Sequence, residues 1–303
     1  ARCWLTGRRG MWKKIKRNME YNREVYWFHC SSLGEFEQGR PLIEKIREDK
    51  PGVFILLTFF SPSGYELRKN YALADLVTYM PLDTRFNAWR FINLVKPSRV
   101  YFIKYEFWYY FLRTLHKKKV PVYLVSARFR EDQAFFRWYG RWYRKFLNYF
   151  THFYVQDRES AALLQNLGKE NVTVSGDTRF DRVYQIASSS REYPGVELFR
   201  NGRKVLIAGS TWEKDEELLV KYINQSSSEI KFILAPHEIN SRKLYNLISM
   251  IDKPVVRFTD EDKRYFESAG VMLIDTIGHL SSVYKYGDLA YIGGGFGKGI
   301  HNI

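Results

Sequence analysis

The sequence predicts an α/β protein built from two doubly wound parallel sheets in tandem, and three observations carry that reading. Short, nearly all-apolar runs of strand length alternate with amphipathic stretches along almost the whole chain. A strand that is apolar on both sides has to be covered on both faces, which is the mark of a parallel sheet between helical layers. One polar stretch, "ASSSREYPG" at 187–195, interrupts the alternation, which then restarts. The length of 303 residues also fits two domains better than one small core.

Taken in order, strands are expected at 24–30, 53–58, 76–80, 100–103, 121–126, 152–156 and 172–175. Helices are expected between them, at 35–49, 84–95 and 133–149 among others. The last of these places Phe135, Trp138, Tyr139, Trp142, Phe146 and Tyr149 on one stripe, with Arg137, Arg141 and Arg144 on another. Such a pattern suits a core helix with a basic outer side, or an interfacial helix that meets anionic lipid. After the polar stretch, strands are expected at 204–209, 230–236, 271–275 and 289–295. The domains are therefore 1–188, with a basic N-terminal segment, and 196–303, which reads as incomplete.

Composition narrows the classes of function. An apolar fraction of 45% and an aromatic fraction of 17% are ample for packed cores. The two cysteines, Cys3 and Cys30, stand at no metal-ligand spacing. No Glu/His pattern is spaced for a metal either, so neither metal nor cofactor is expected. The excess of 48 Lys+Arg over 33 Asp+Glu, a net charge of +15, attracts polyanions. Part of it lies at the start, where Arg2, Arg8, Arg9, Lys13, Lys14, Lys16 and Arg17 occur without an acid among them. The longest apolar runs, such as "VFILLTFF", fall far short of the roughly 20 residues of a membrane span. The chain opens without a methionine and ends inside a glycine-rich loop. The expectation is a fragment.

In open α/β sheets ligands bind beyond the carboxyl ends of the strands, so the turns there should hold the chemistry. After the first strand comes "HCSSLGE". Its Ser32-Leu33-Gly34-Glu35 fits a capping box, in which the glutamate satisfies a backbone N–H at a helix start. The same residue also places a carboxylate at the mouth of the sheet, where a general base would stand. This stretch alone leaves both readings open. The glycine run "GGGFGKGIHN" matches neither the dinucleotide fingerprint nor a P-loop. It remains a bare-backbone loop able to donate N–H groups to an anion, or a plain turn. His237 and His279 stand at predicted strand ends of the second domain.

Together these turns resemble a known family, the 3-deoxy-D-manno-octulosonic acid (Kdo) transferases. The resemblance rests on "SSLGEFEQGRPLI", "LTFFSPSG", "MPLD", "YEFW", "VSARF", "SGDTRFD", "AGSTWEKDEE", "DTIGHL" and "YIGGGFGKGIHN", found in the family's order. It implies the GT-B arrangement of two Rossmann-like domains, with CMP-Kdo as donor and a lipid A precursor as acceptor. It further implies a place at the cytoplasmic face of the bacterial inner membrane, on an anionic surface, with an N-terminal anchor missing from this chain and no nucleic acid partner. By the same resemblance Glu35 is the general base, and Glu106 and Arg179 assist the transition state. His237, Glu238, Ile277, Gly278, His279, Asn302 and Ile303 take donor-binding positions. The chain departs from many relatives at Lys104, Arg179, Trp212, His237-Glu238 and His279. Two other readings compete: a GT-B enzyme acting on UDP-sugars, and a non-enzymatic basic module on membrane or nucleic acid, which leaves the ordered polar turns unexplained.

Overall fold

The computed structural model describes Arg8, residues 10–188 and residues 191–296. The chain divides into two compact units, Ala1–Arg182 and Val183–Ile303, and the division falls inside the helix Thr178–Ser188.

The first unit is a seven-stranded parallel sheet. Its strands are β1 (Val25–Cys30), β2 (Phe54–Phe59), β3 (Leu76–Tyr79), β4 (Arg99–Ile103), β5 (Val122–Ala127), β6 (His152–Val155) and β7 (Val172–Val174). They lie in the order β3-β2-β1-β4-β5-β6-β7. The apolar runs explain this sheet. Successive side chains point to opposite faces, so the wholly buried β1 sends Val25 and Trp27 into one core cluster and Tyr26 and Phe28 into another. Burying each such side chain is worth about 1.5–3 kcal/mol.

In the second unit β8 (Lys204–Thr211), β9 (Ile230–Pro236), β10 (Val255–Arg257), β11 (Val271–Leu273) and β12 (Leu289–Ile292) pair in the order β10-β11-β9-β8-β12, all parallel. Two further core clusters cover its faces, one around Ile207, Ile233 and Met272 and one around Phe232, Leu234 and Leu273.

Chain direction turns about at one point in each sheet. In the first, β1 lies between β2 and β4; in the second, β8 lies between β9 and β12. A crevice opens at such a switch point, between the loops that follow the two diverging strands. The first crevice therefore belongs to the segments after β1 and β4, and the second to those after β8 and β12.

Two expectations are corrected. Residues 133–149 do not form one helix: a 3₁₀ turn at Ala134–Phe136 is followed by a break, and the α-helix covers only Arg141–Leu147. The cause is Gly140, where the chain folds back so tightly that a Cβ would overlap the Ala134 carbonyl. Arg144 then braces the break, donating from Nε to the Phe135 carbonyl at 2.9 Å. The stripe is split accordingly, with Phe135 and Phe146 buried and Trp138 91% exposed. The short edge strand β10 is the second difference, since three residues after Pro254 carry no readable alternation.

Candidate active site

Building from β1 upward, the strand ends at Cys30 and Ser32 opens the helix Leu33–Asp49. Glu35 occupies its third position, and its Oε2 accepts the Ser32 backbone N–H at 2.7 Å and the Ser32 hydroxyl at 3.2 Å. The capping reading therefore holds. It uses one carboxylate oxygen; among the described residues no hydrogen bond reaches Oε1. Cap and reactive carboxylate are compatible.

Glu106 comes from the loop after β4, across the switch point. It is 3% exposed. Its Oε1 accepts the Ser31 N–H at 3.2 Å, which ties it to the β1 loop, and its Oε2 accepts the Trp108 indole N–H. The His29 imidazole, on β1 and fully buried, brings Nε2 to 3.3 Å from that same Oε2, near but not aligned as a hydrogen bond.

Two carboxyls at one switch point are thus pushed apart. Burial raises the Glu35 carboxyl above its ordinary value, the charge of Glu106 raises it further, and the Ser32 donors only partly offset this. Burial also pushes Glu106 up, but the His29 ring and the donors from Ser31 and Trp108 outweigh it and leave the group below its ordinary value.

Backbone strain marks strands near their carboxyl ends in each unit. Lys104 at the end of β4, Ser126 in β5 and Ser210 in β8 hold φ of 72°, 56° and 53°. Non-glycine residues rarely occupy this left-handed region, and such residues cluster at functional sites.

Arg179 is far from both glutamates in the chain, and its side chain is engaged elsewhere. Thr178 donates to the Gln38 carbonyl at 2.6 Å, drawing the start of its helix to that of Leu33–Asp49. Arg179 itself grips Asp177 through Nε and Nη2 at 2.9 and 2.6 Å and is 59% exposed. The structure joins Glu35 to Glu106 and leaves Arg179 with Asp177. The sequence reading missed His29, Thr58 and Trp108. A histidine or threonine within an apolar strand looks like core, and only the pairing of β1 with β2 and β4 reveals the group.

In the second unit His237 follows β9 and stacks on Trp212, with ring centroids 4.5 Å apart and an interplanar angle of 23°. Glu238 pairs with Lys243. Trp212, Glu238 and Lys243 line a cleft of about 260 Å³ together with Thr211 and Glu216. Ile277, Gly278 and His279 follow β11. Ile277 is 86% exposed, Gly278 has φ +93°, and His279 Nδ1 lies 2.8 Å from the Tyr193 hydroxyl. Asn302 and Ile303 lie outside the described residues. The glycine run begins where Gly293 presses against the Ser210–Thr211 backbone, which a Cβ would forbid. Asp215, also missed, organises this crevice: it accepts the Trp212 and Gly294 N–H groups, each at 2.9 Å, and the Tyr291 hydroxyl at 2.7 Å. Among the described residues no group of three or more His, Cys, Asp or Glu is placed to hold a metal.

Comparison with known proteins bears on this geometry. The sequence model of the family described as "3-Deoxy-D-manno-octulosonic-acid transferase (kdotransferase)" matches residues 5–182. The chain belongs to that family. A bifunctional glycosyltransferase/methyltransferase of Fusobacterium nucleatum subsp. nucleatum is 25% identical, aligned with 90% of this chain and 44% of its own length. A 3-deoxy-D-manno-octulosonic acid transferase of Haemophilus influenzae is 26% identical, aligned with 91% of this chain and 66% of its own. This Kdo transferase family chain thus spans between about half and two thirds of those relatives. Among solved structures, a putative UDP-N-acetylglucosamine 2-epimerase from Listeria monocytogenes superposes with a TM-score of 0.56 at 10% identity, covering 90% of this chain and 75% of that one. That likeness concerns the fold, which is of the GT-B class with Rossmann-like α/β units.

Proposed function

We propose that the protein transfers Kdo from CMP-Kdo to a lipid A precursor in lipopolysaccharide biosynthesis, with Glu35 as general base. The observation that carries this reading is the meeting of two carboxyls at the first switch point of a Kdo transferase family chain, Glu35 at the start of the helix after β1 and Glu106 tied to the β1 loop through the Ser31 N–H. When two titratable groups are driven apart by their surroundings, their acid–base roles divide with them. Among the described residues Glu35 keeps one oxygen without a hydrogen bond, and its raised proton affinity suits it to take the proton of an attacking hydroxyl. A base works best when its pKa approaches the working pH. Glu106 stays anionic and faces the positive charge that develops at the anomeric carbon. Inversion follows from a single in-line displacement.

Negative charge gathers on the departing CMP, and backbone N–H groups beyond β8 and β12 are suited to stabilise it without a metal. His237 and His279 supply ring faces and edges at the neighbouring strand ends. Glu238 and Arg179 would have to leave Lys243 and Asp177 to touch substrate, which makes them weaker candidates than Glu35 and Glu106.

The acceptor reading draws on the face of the first sheet covered by the helices Arg85–Val95, Tyr109–Lys117 and Arg141–Leu147. Phe86, Trp89, Trp138, Tyr139 and Trp142 are exposed there, and Arg85, Arg90, Arg113, Arg137, Arg141 and Lys145 are exposed as well. Aromatic and basic groups together suit the headgroup zone of an anionic membrane, here the cytoplasmic face of the inner membrane. No described helix is long and apolar enough to cross a membrane.

The test is product formation by the whole native protein. CMP-Kdo and a tetraacylated lipid A precursor are supplied, and the product is weighed by mass spectrometry beside parallel reactions with UDP-sugars. A mass gain of one or more Kdo units supports the reading, and transfer from UDP-sugars alone rejects it.

A further inference from the structure

We propose that His29 is a positioning residue for the Glu35–Glu106 pair: one proton is held between its Nε2 and Glu106, so that Glu106 faces Glu35 with its charge offset. This deepens the transferase reading and rests on it.

Thr58 is a fully buried residue of β2. Its Oγ1 receives the Trp27 indole N–H at 2.7 Å, lies 2.9 Å from His29 Nδ1 and lies 3.2 Å from the Phe28 carbonyl. Indole nitrogen only donates, a carbonyl only accepts, and a hydroxyl owns one hydrogen. That leaves two arrangements. If the Thr58 hydrogen points at His29 Nδ1, the ring carries its own hydrogen on Nε2, directed at Glu106. If it points at the Phe28 carbonyl, Nδ1 must donate to Thr58. Nε2 then carries a second ring proton, because a bare lone pair against the buried, ionised Glu106 is costly.

Both arrangements give the same result. A proton lies between His29 Nε2 and Glu106 Oε2, 3.3 Å apart. The burial is what makes this proton consequential. His29 and Thr58 are 0% exposed and Glu106 is 3% exposed, so water cannot substitute for it. Among the described residues Glu106 and Glu35 both feel the His29 ring, and the adjoining buried Cys30 thiol feels Glu35, Glu106 and Glu37. All are acids, so His29 is the group in this set able to offset their repulsion.

The chain runs Trp27–Thr58–His29–Glu106 and then to the β1 loop through the Ser31 N–H. His29 thereby fixes where Glu106 stands and how strongly it opposes ionisation of Glu35. Two carboxylates at one switch point could not otherwise both serve as anions.

The test uses the whole native protein and four variants. His29→Leu removes the proton donor; kcat should fall about 10–100-fold, the cost of an unpaired buried charge, with little change in KM. The acid limb of the pH–rate profile should move to higher pH. His29→Gln, whose amide reaches the Nε2 position, should stay within about threefold of wild type. The double variant His29→Leu/Glu106→Gln should be no slower than Glu106→Gln, since His29 acts through Glu106. Nitrogen-15 spectra of histidine-labelled protein, with the His29 signal identified by its loss in His29→Gln, read the ring directly and stand even if His29→Leu fails to fold. An Nε2 signal in its protonated or proton-sharing range supports the proposal. A fully deprotonated Nε2 together with an ionised Glu106, or an undiminished His29→Leu effect in the Glu106→Gln background, overturns it. The underlying base assignment fails separately, by an active Glu35→Gln.

Discussion

The same local motif gives two different carboxylates in this protein, and the difference lies in what surrounds them. Asp215 and Glu35 each occupy the third position of a helix that follows the first strand of its sheet, and each accepts a backbone N–H three residues back. Asp215 is saturated by three donors and held below its ordinary value; among the described residues Glu35 keeps one oxygen without a hydrogen bond, and it is held above. Asp215 is therefore structural, and Asp215→Ala should cost about 3 kcal/mol, roughly 1 for each lost bond, read as a lower unfolding midpoint. Glu35 should respond in the opposite sense. Its folded-state carboxyl binds a proton more tightly than in the unfolded chain. The associated stability is thus fully present below the unfolded value and is lost as pH rises through the folded one. At neutral pH the ionised group opposes folding. Glu35→Gln keeps an amide that can still cap, so its melting temperature at neutral pH should equal or exceed that of the wild type, while at acid pH the gain should vanish.

At the scale of elements, the strands were readable because each is apolar on both faces, and Val25–Cys30 is buried at every position. Helix starts were readable where a cap residue stands, as with Thr84, whose hydroxyl accepts the Asn87 N–H at 3.2 Å. The segment 133–149 was not readable. Aromatic residues at helical spacing say nothing of a glycine that lets two chain segments touch. Gly140→Ala should therefore destabilise the first unit by about 1–3 kcal/mol, the usual penalty of overpacking, measurable in a denaturant titration. The carboxyl-end turns were readable as a class, since sheet order follows from alternating elements and the crevice follows from sheet order. The partner of Glu106 was hidden, because His29 and Glu106 are 77 positions apart in sequence and meet only through the pairing of β1 with β4.

At the scale of the whole molecule, a net charge of +15 is only partly a free field. Arg8 donates to the Phe60 and Met80 carbonyls, and Lys14 donates to the Val77 carbonyl, so part of the basic start is spent on the first sheet. On the proposed function, the exposed aromatic and basic face of that unit is the surface that would meet lipid. Binding to vesicles rich in phosphatidylglycerol should weaken steeply with salt. Trp138→Ser/Trp142→Ser should weaken it by at least about tenfold more, while leaving the melting temperature nearly unchanged. Transfer would then combine a membrane-bound acceptor with a base at the first switch point. The most direct measurement of that claim is the single-turnover rate of Glu35→Gln in the whole protein, beside its calorimetric affinity for CMP. The account expects transfer slowed by at least about 100-fold with CMP affinity unchanged; a Glu35→Gln protein that transfers Kdo at the wild-type rate contradicts it.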